Sequence, residues 1–197
     1  MDTAFHISEI DAEIFKRIDG KSYKKNCTLP LSELRYLRLL HKDFNGNTTS
    51  GELICNARIA AALLDIFQKL YEANYPIEKI RLIDEYDADD ELSMRDNNSS
   101  CFNFRFVSHT NRISLHGYGL AVDINPLYNP YIKTVDGKKI IAPDNSAAYE
   151  DRTKNFAHKI DEDDLCVKLF GEHGFLWGGN CWDDEKDYQH FFVERTV

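Results

Sequence analysis

Two histidines and two aspartates divide themselves between distant stretches of this chain. The first stretch reads Ser114-Leu115-His116-Gly117-Tyr118-Gly119-Leu120-Ala121-Val122-Asp123, the second Asp187-Tyr188-Gln189-His190. A His, a carboxylate seven residues on and a remote second His form a donor set that holds one Zn²⁺ and leaves a coordination position open. Two neutral imidazoles and one carboxylate leave such a centre with a net positive charge. That charge lowers the pKa of a bound water toward ~7 and polarises a carbonyl. A base must still take the proton and pass it to a leaving amine. Asp187, three residues before His190, is placed to do so without binding the metal. Residues three apart point to opposite faces of a strand, which predicts Asp187 in the loop before the strand.

The elements that must position these groups follow from local pattern. Gly117 and Gly119 argue against a helix, so His116 is expected on a tight turn and Leu120–Ile124 on a buried strand that carries Asp123. The aromatic run 188–193 predicts a neighbouring strand for His190.

Ser-x-His-x6-Asp followed by Asp-x-x-His-Phe resembles the zinc D-alanyl-D-alanine carboxypeptidases and dipeptidases of the vancomycin-resistance type. It is equally similar to the L-alanyl-D-glutamate endopeptidases of phage lysins and more distantly to the Hedgehog signalling-domain fold, over roughly residues 30–195. The resemblance implies His116, Asp123 and His190 as Zn²⁺ ligands, Asp187 as catalytic acid/base and Ser114 as a substrate-binding residue. It also implies peptidoglycan stem peptide or its precursor as substrate, and the cell envelope or exterior as the place of work. Iron facial triads also use two His and one carboxylate, but their local ligands sit closer in sequence than His116 and Asp123, so iron ranks below zinc.

The run 101–107 alternates Phe102, Phe104 and Phe106 with Asn103 and Arg105. As a strand it buries the aromatics and turns Asn103 and Arg105 together toward the opposite face. Arg105 is therefore the candidate for stabilising a developing oxyanion and Asn103 a candidate substrate contact, with Arg95 and Arg112 as alternatives. Related enzymes place an Arg in a Tyr-Arg pair, but here Tyr86 is followed by Asp87.

The 197 residues suit a single domain, 1–197, with 1–30 as an N-terminal arm and a short helix within Ile7–Ile18. A formal charge of −9 disfavours nucleic-acid binding. No apolar run is long enough for a membrane span, and Met1–Phe5 lacks the basic start of a signal peptide. Five cysteines without CxxC spacing do not make a disulfide framework, and Cys181 is read as a bystander.

Elsewhere, Leu34–Leu40, Glu52–Asn56 and Ile80–Ile83 predict strands, Ala57–Ala73 a helix capped by Asn56, and Asp84–Asp90 a solvated acidic loop. Residues 125–160 read as a long loop beside the cleft, with Asp136-Gly137 as a turn. A second helix is expected over 165–173 behind the Asp161–Asp164 cap, with His173 as a charge at its C-terminal end. Trp177 and Trp182 are expected to line or support the cleft. His6, His41, His109 and His158 lack suitable metal-binding neighbours. Strands with segregated helices and no βαβ repeat predict an α+β fold, a small antiparallel sheet packed against helices, Hedgehog/DD-peptidase-like. The expected function is a zinc-dependent D-alanyl-D-alanine carboxypeptidase. An L-alanyl-D-glutamate endopeptidase and a non-catalytic zinc-stabilised binding module are the alternatives.

Overall fold

The computed structural model describes residues 4–107, 110–182 and 184–195. In chain order the elements are β1 (His6–Ser8), α1 (Ala12–Ile18), β2 (Leu34–Lys42), β3 (Thr48–Asn56), α2 (Ala57–Glu72), β4 (Lys79–Ile80), α3 (Asp90–Arg95) and β5 (Asn98–Ser99). They continue with β6 (Ala121–Asp123), β7 (Tyr131–Val135), β8 (Lys138–Ala142), α4 (Leu165–Glu172), β9 (Leu176–Trp177), β10 (Glu185–Asp187) and β11 (His190–Phe192). The architecture is mixed helix and strand with antiparallel sheets, as expected. The single sheet, however, is replaced by three small antiparallel ones, β1-β2-β3, β10-β7-β8 and β6-β11-β9, beside a parallel pair, β4-β5. Most of the strands are too short to extend one ladder across the molecule.

The longest hairpin, β2-β3, supports α2. Asn56 ends β3 and accepts from Arg58 N with its side chain, so one residue closes a strand and caps a helix. Ile59, Leu63, Ile66, Phe67 and Leu70 recur at helical spacing and are buried against Leu37, Leu39 and Leu53 of the hairpin. The N-terminal segment is part of this assembly. Residues 6–8 form a strand on β2 instead of the first turn of a helix, and α1 occupies only the second half of the stretch expected to be helical. Ile18 is buried with Leu34, Ile54 and Phe102, and Arg17 makes two 2.7 Å bonds to Glu52.

Three local expectations are corrected. The strand at 80–83 stops at Ile80, and Ile83–Tyr86 turns as a 3₁₀ helix. The acidic run is solvated only in part: Glu85, Asp87 and Asp89 are exposed, whereas Asp84 is buried and accepts from both Ser22 N–H and Ser22 Oγ–H. Residues 101–105 are extended without forming a strand, because successive N–H groups donate to different segments. Phe102 donates to Ile54, Asn103 to His116 and Phe104 to Ser22. Phe102 and Phe104 are buried as expected, whereas Phe106 is 45% exposed.

The segment 125–160 is less irregular than its composition suggests. It contains the β7-β8 hairpin, turning at Asp136-Gly137 with φ of 50° and 74°, the left-handed pair a tight two-residue turn requires. Strand β7 also pairs with β10, with Tyr131 opposite Asp187, so this segment braces the strand that carries Asp187.

Candidate metal centre and active site

His116 stands on a 3₁₀ turn, His116–Tyr118, closed by Gly119 at φ +64°. A Cβ at Gly119 would come within 2.7 Å of Asn56 N, so the turn rests directly on the β3–α2 junction. Asp123 ends β6, and β11 lies antiparallel beside it with His190 directly opposite Asp123. This register brings the two sequence-remote motifs together.

The three side chains converge. His116 Nε2 is 3.2 Å from His190 Nδ1 and 3.1 Å from Asp123 Oδ2, and His190 Nδ1 is 2.9 Å from Asp123 Oδ1. These separations approach the edge of about 3.3 Å of a tetrahedron with ~2.05 Å metal–ligand bonds. All three residues are buried, at 3%, 5% and 9% exposure for His116, Asp123 and His190. The donor set therefore fits a divalent metal, the group Asp123, His116 and His190 can hold within 4.8 Å of one another.

Electrostatics agree with that geometry. His116 Nδ1 lies 2.6 Å from the Cys101 carbonyl, to which it donates, leaving the Nε2 lone pair directed at the centre. Burial raises the Asp123 pKa, but the charges and hydrogen bonds of His116 and His190 outweigh it and hold the carboxyl well below its ordinary range. Burial likewise works against a charged His116, yet the neighbouring Asp123 carries its pKa above the ordinary histidine value. The pair thus favours an ionised carboxylate facing positive charge, which a cation satisfies in place of protons.

Asp187 occupies the last position of β10, not the expected loop. It avoids the strand-parity conflict with His190 because Tyr188 and Gln189 form a turn between β10 and β11. Its Oδ1 is sealed from solvent without a hydrogen-bond partner. Burial pushes its pKa up to about 7, with the Asp123 charge adding to the rise and His190 opposing it. A carboxyl in that state can both accept and return a proton near neutrality.

Asn103, Arg105 and Ser114 are drawn toward the same place by a short antiparallel contact. Asn103 N donates to His116 O, Ser114 N donates to Arg105 O, and Phe106 bridges Ile113. In this contact the backbone of Asn103 lies against that of His116, and the backbone of Arg105 against that of Ser114. Ser114 Oγ accepts from His116 N at 3.3 Å, which ties this serine to the His116 turn. Asn103 is buried, donates to Ala88 O and leaves its Oδ1 without a partner. Arg105 contributes to the electrostatics of both His116 and Asp187. Arg95 instead pairs with Asp144 at the surface, and Arg112 is exposed.

Several participants escaped the sequence reading. Asp90 pairs with Arg105 at 2.8 Å, and nothing in its acidic surroundings distinguishes it beforehand. The Cys101 carbonyl is a backbone group and leaves no trace in residue type. Trp182, expected at the cleft, stacks on Phe192 with centroids 5.4 Å apart and lies 6.2 Å from His190. Trp177 donates to Tyr188 O at 2.9 Å.

Three further histidines are engaged elsewhere. His173 bonds Asp65 on α2 at 2.8 Å, His41 Nδ1 meets the Ile77 carbonyl, and His158 stacks on Phe44. His109 lies outside the described residues. All five cysteines are free, and Cys181 donates to Trp177 O. No helix among the described residues is long and apolar enough to cross a membrane.

Residues 108–193 match the family model described as D-alanyl-D-alanine carboxypeptidase, a span that contains both motifs and all four acidic and imidazole groups of the centre. No curated protein and no solved structure matches the chain significantly. The segment that gathers His116, Asp123, Asp187 and His190 is thus similar to the D-alanyl-D-alanine carboxypeptidase family, over less than half of the chain.

Proposed function

We propose that residues 1–197 form one zinc peptidase domain with a Hedgehog/DD-peptidase-like fold. Its substrate is D-alanyl-D-alanine-terminated cell-wall peptide or its precursor, in the cell envelope or outside the cell. The observation that carries this reading is the convergence of three buried donors within 4.8 Å, with the unpartnered Asp187 Oδ1 within electrostatic reach. Zinc held by these three residues would supply Lewis-acid polarisation of the scissile carbonyl and acidification of a water.

The chain's own residues do the rest. The Cys101 carbonyl fixes the His116 tautomer, and the β6–β11 register holds Asp123 and His190. Asp187 takes the proton of the attacking water at its carboxylate and returns it to the leaving amine. Arg105, anchored through one nitrogen by Asp90, donates to the developing oxyanion from the remaining guanidinium edge. Asn103 Oδ1, an acceptor without a partner, receives a substrate N–H. Ser114, bonded to the His116 backbone, borders the same surface as a substrate contact.

One observation favours a second cleavage point. The Arg105–Asp90 pair neutralises the cation beside the centre, so a free terminal carboxylate gains less there than an internal peptide group, as an L-alanyl-D-glutamate endopeptidase would require. Mass analysis of products from a complete stem peptide, with zinc and with a chelator, decides between them. Loss of a single D-alanine, abolished by chelator, is the expected result. Cleavage after L-alanine selects the endopeptidase, and no cleavage by the zinc-loaded protein overturns the peptidase reading in favour of a binding module.

A further inference from the structure

Arg152 lies in the segment between the two motifs. Its Nη1 donates to Tyr128 O at 2.9 Å, and its Nη2 donates to Ile160 O at 2.7 Å and Asn129 Oδ1 at 3.1 Å. The guanidinium carbon sits 4.2 Å from the centre of the Tyr188 ring and 5.1 Å from that of Phe156. Carbonyl oxygens and ring faces thus receive this charge, and burial pulls its pKa down to about 10. A surface arginine has no reason to be held this way, since an exposed cation is already well solvated.

Its partners lead to both halves of the metal centre. Asn129 is fully buried, and its Nδ2 donates to Asn125 O at 3.1 Å, two residues beyond Asp123. Asn125 is in turn fixed by Ser99 Oγ, by the Pro76 carbonyl and by Glu78 N. On the other side, Tyr188 is the residue after Asp187 and two before His190. Its carbonyl accepts from Trp177 and its N–H from β10 onward meets Pro130 O at 3.4 Å, leaving the ring face to Arg152. One guanidinium therefore spans the stretch following the first motif and the turn inside the second.

We propose that Arg152 is a positioning residue for the metal centre, clamping the Asn125–Asn129 stretch against the Asp187–His190 turn and so setting where His190 and Asp187 stand relative to Asp123. The inference rests on the metal-centre reading above and extends it to a residue that touches neither metal nor substrate. It requires the planar, forked, stackable guanidinium. A lysine keeps the charge but cannot donate along two directions while lying flat on a ring.

The test compares Arg152→Lys, Arg152→Met, Tyr188→Leu and Tyr188→Phe in the full chain. The readouts are zinc affinity by chelator competition, the visible absorption of the Co²⁺-substituted protein, and thermal unfolding without metal. Arg152→Lys and Tyr188→Leu are expected to weaken zinc binding about tenfold or more, the usual effect of losing support behind a ligand, and to change the Co²⁺ spectrum. Tyr188→Phe keeps the ring and is expected to bind as the parent does. The Arg152→Lys/Tyr188→Leu pair is expected to lose little more than either single change, because both break one contact. If Arg152→Met fails to fold, the lysine and Tyr188 variants still carry the comparison. Variants that melt earlier yet bind zinc within twofold of parent, with an unchanged Co²⁺ spectrum, overturn the proposal. A parent that binds zinc but cleaves no stem peptide defeats the peptidase reading and leaves this one standing.

Discussion

His190 faces Asp123 across the β6–β11 ladder, and its Nδ1 lies 2.9 Å from Asp123 Oδ1. Two of the three candidate metal donors are thus set by backbone pairing before any ion arrives. A site prepared in this way stabilises the fold when filled. Zinc at 100 times its dissociation constant is expected to add about 2.7 kcal/mol, or on the order of 5–10 °C in Tm for a chain of this size. His116→Ala, Asp123→Ala and His190→Ala should each erase the zinc-dependent rise in differential scanning calorimetry. An equal rise in all three would place the ion elsewhere.

In the proposed mechanism Asp187 contributes without being a ligand. Asp187→Asn should retain zinc at near-parental affinity while hydrolysis falls by about 10²–10⁴-fold. Asp187→Ala should behave the same way. Parental turnover in both, with zinc content confirmed by elemental analysis, would remove Asp187 from the acid/base role.

The pH dependence of stability follows from three shifts acting in known directions. Between its ordinary value of 3.8 and about 7, folded Asp187 holds a proton that the unfolded chain has released, so its contribution falls as pH rises through that window. The raised His116 contributes stability that is full below its unfolded value and is lost as pH rises through its folded one. Depressed Asp123 acts at the acid end, where its contribution is lost as pH falls. The metal-free protein is therefore expected to lose stability between about pH 5 and 8. Zinc binding displaces those protons and strengthens over the same range, so the gap between loaded and metal-free Tm should widen with pH. A gap that is constant across the range would contradict the assignment.

Arg105 and Asp90 act as a pair. Arg105→Ala should lower kcat about 10²–10³-fold through loss of the oxyanion donor. Asp90→Ala leaves the guanidinium in place but unanchored, and should lower kcat less. Steady-state kinetics on zinc-loaded variants would tell. An Arg105→Ala enzyme within a few-fold of parent moves the role to another group.

Gly119→Ala tests the seat of the His116 turn. The residue has φ +64° and its added methyl meets Asn56 N at 2.7 Å and Cys55 C at 3.0 Å. A strained left-handed residue costs on the order of 1–3 kcal/mol, and the steric contact adds to it. Chemical denaturation of the metal-free protein should show at least that loss, and an unchanged midpoint would show that the turn has another conformation available.

Residue types alone singled out the candidate donors. His116, Asp123, His190 and Asp187 were legible because few other functions need two imidazoles and two carboxylates in those spacings, and α2 because its apolar residues and its Asn56 cap are purely local signals. The extended run 101–105 was legible only in part. Its alternation was real for Phe102 and Phe104, but its N–H groups were shared among three segments, a fact no window of sequence contains. Asp90 looked like one acidic surface residue among several, and Arg152 like any loop arginine, until the chain folded them against Arg105 and Tyr188. The sequence by itself determined which atoms could bind a cation and carry a proton, since that is a property of side-chain chemistry and spacing. Only the tertiary structure decided that they meet, because the register of β11 on β6 and the bracing of β10 by β7 depend on contacts between residues far apart along the chain.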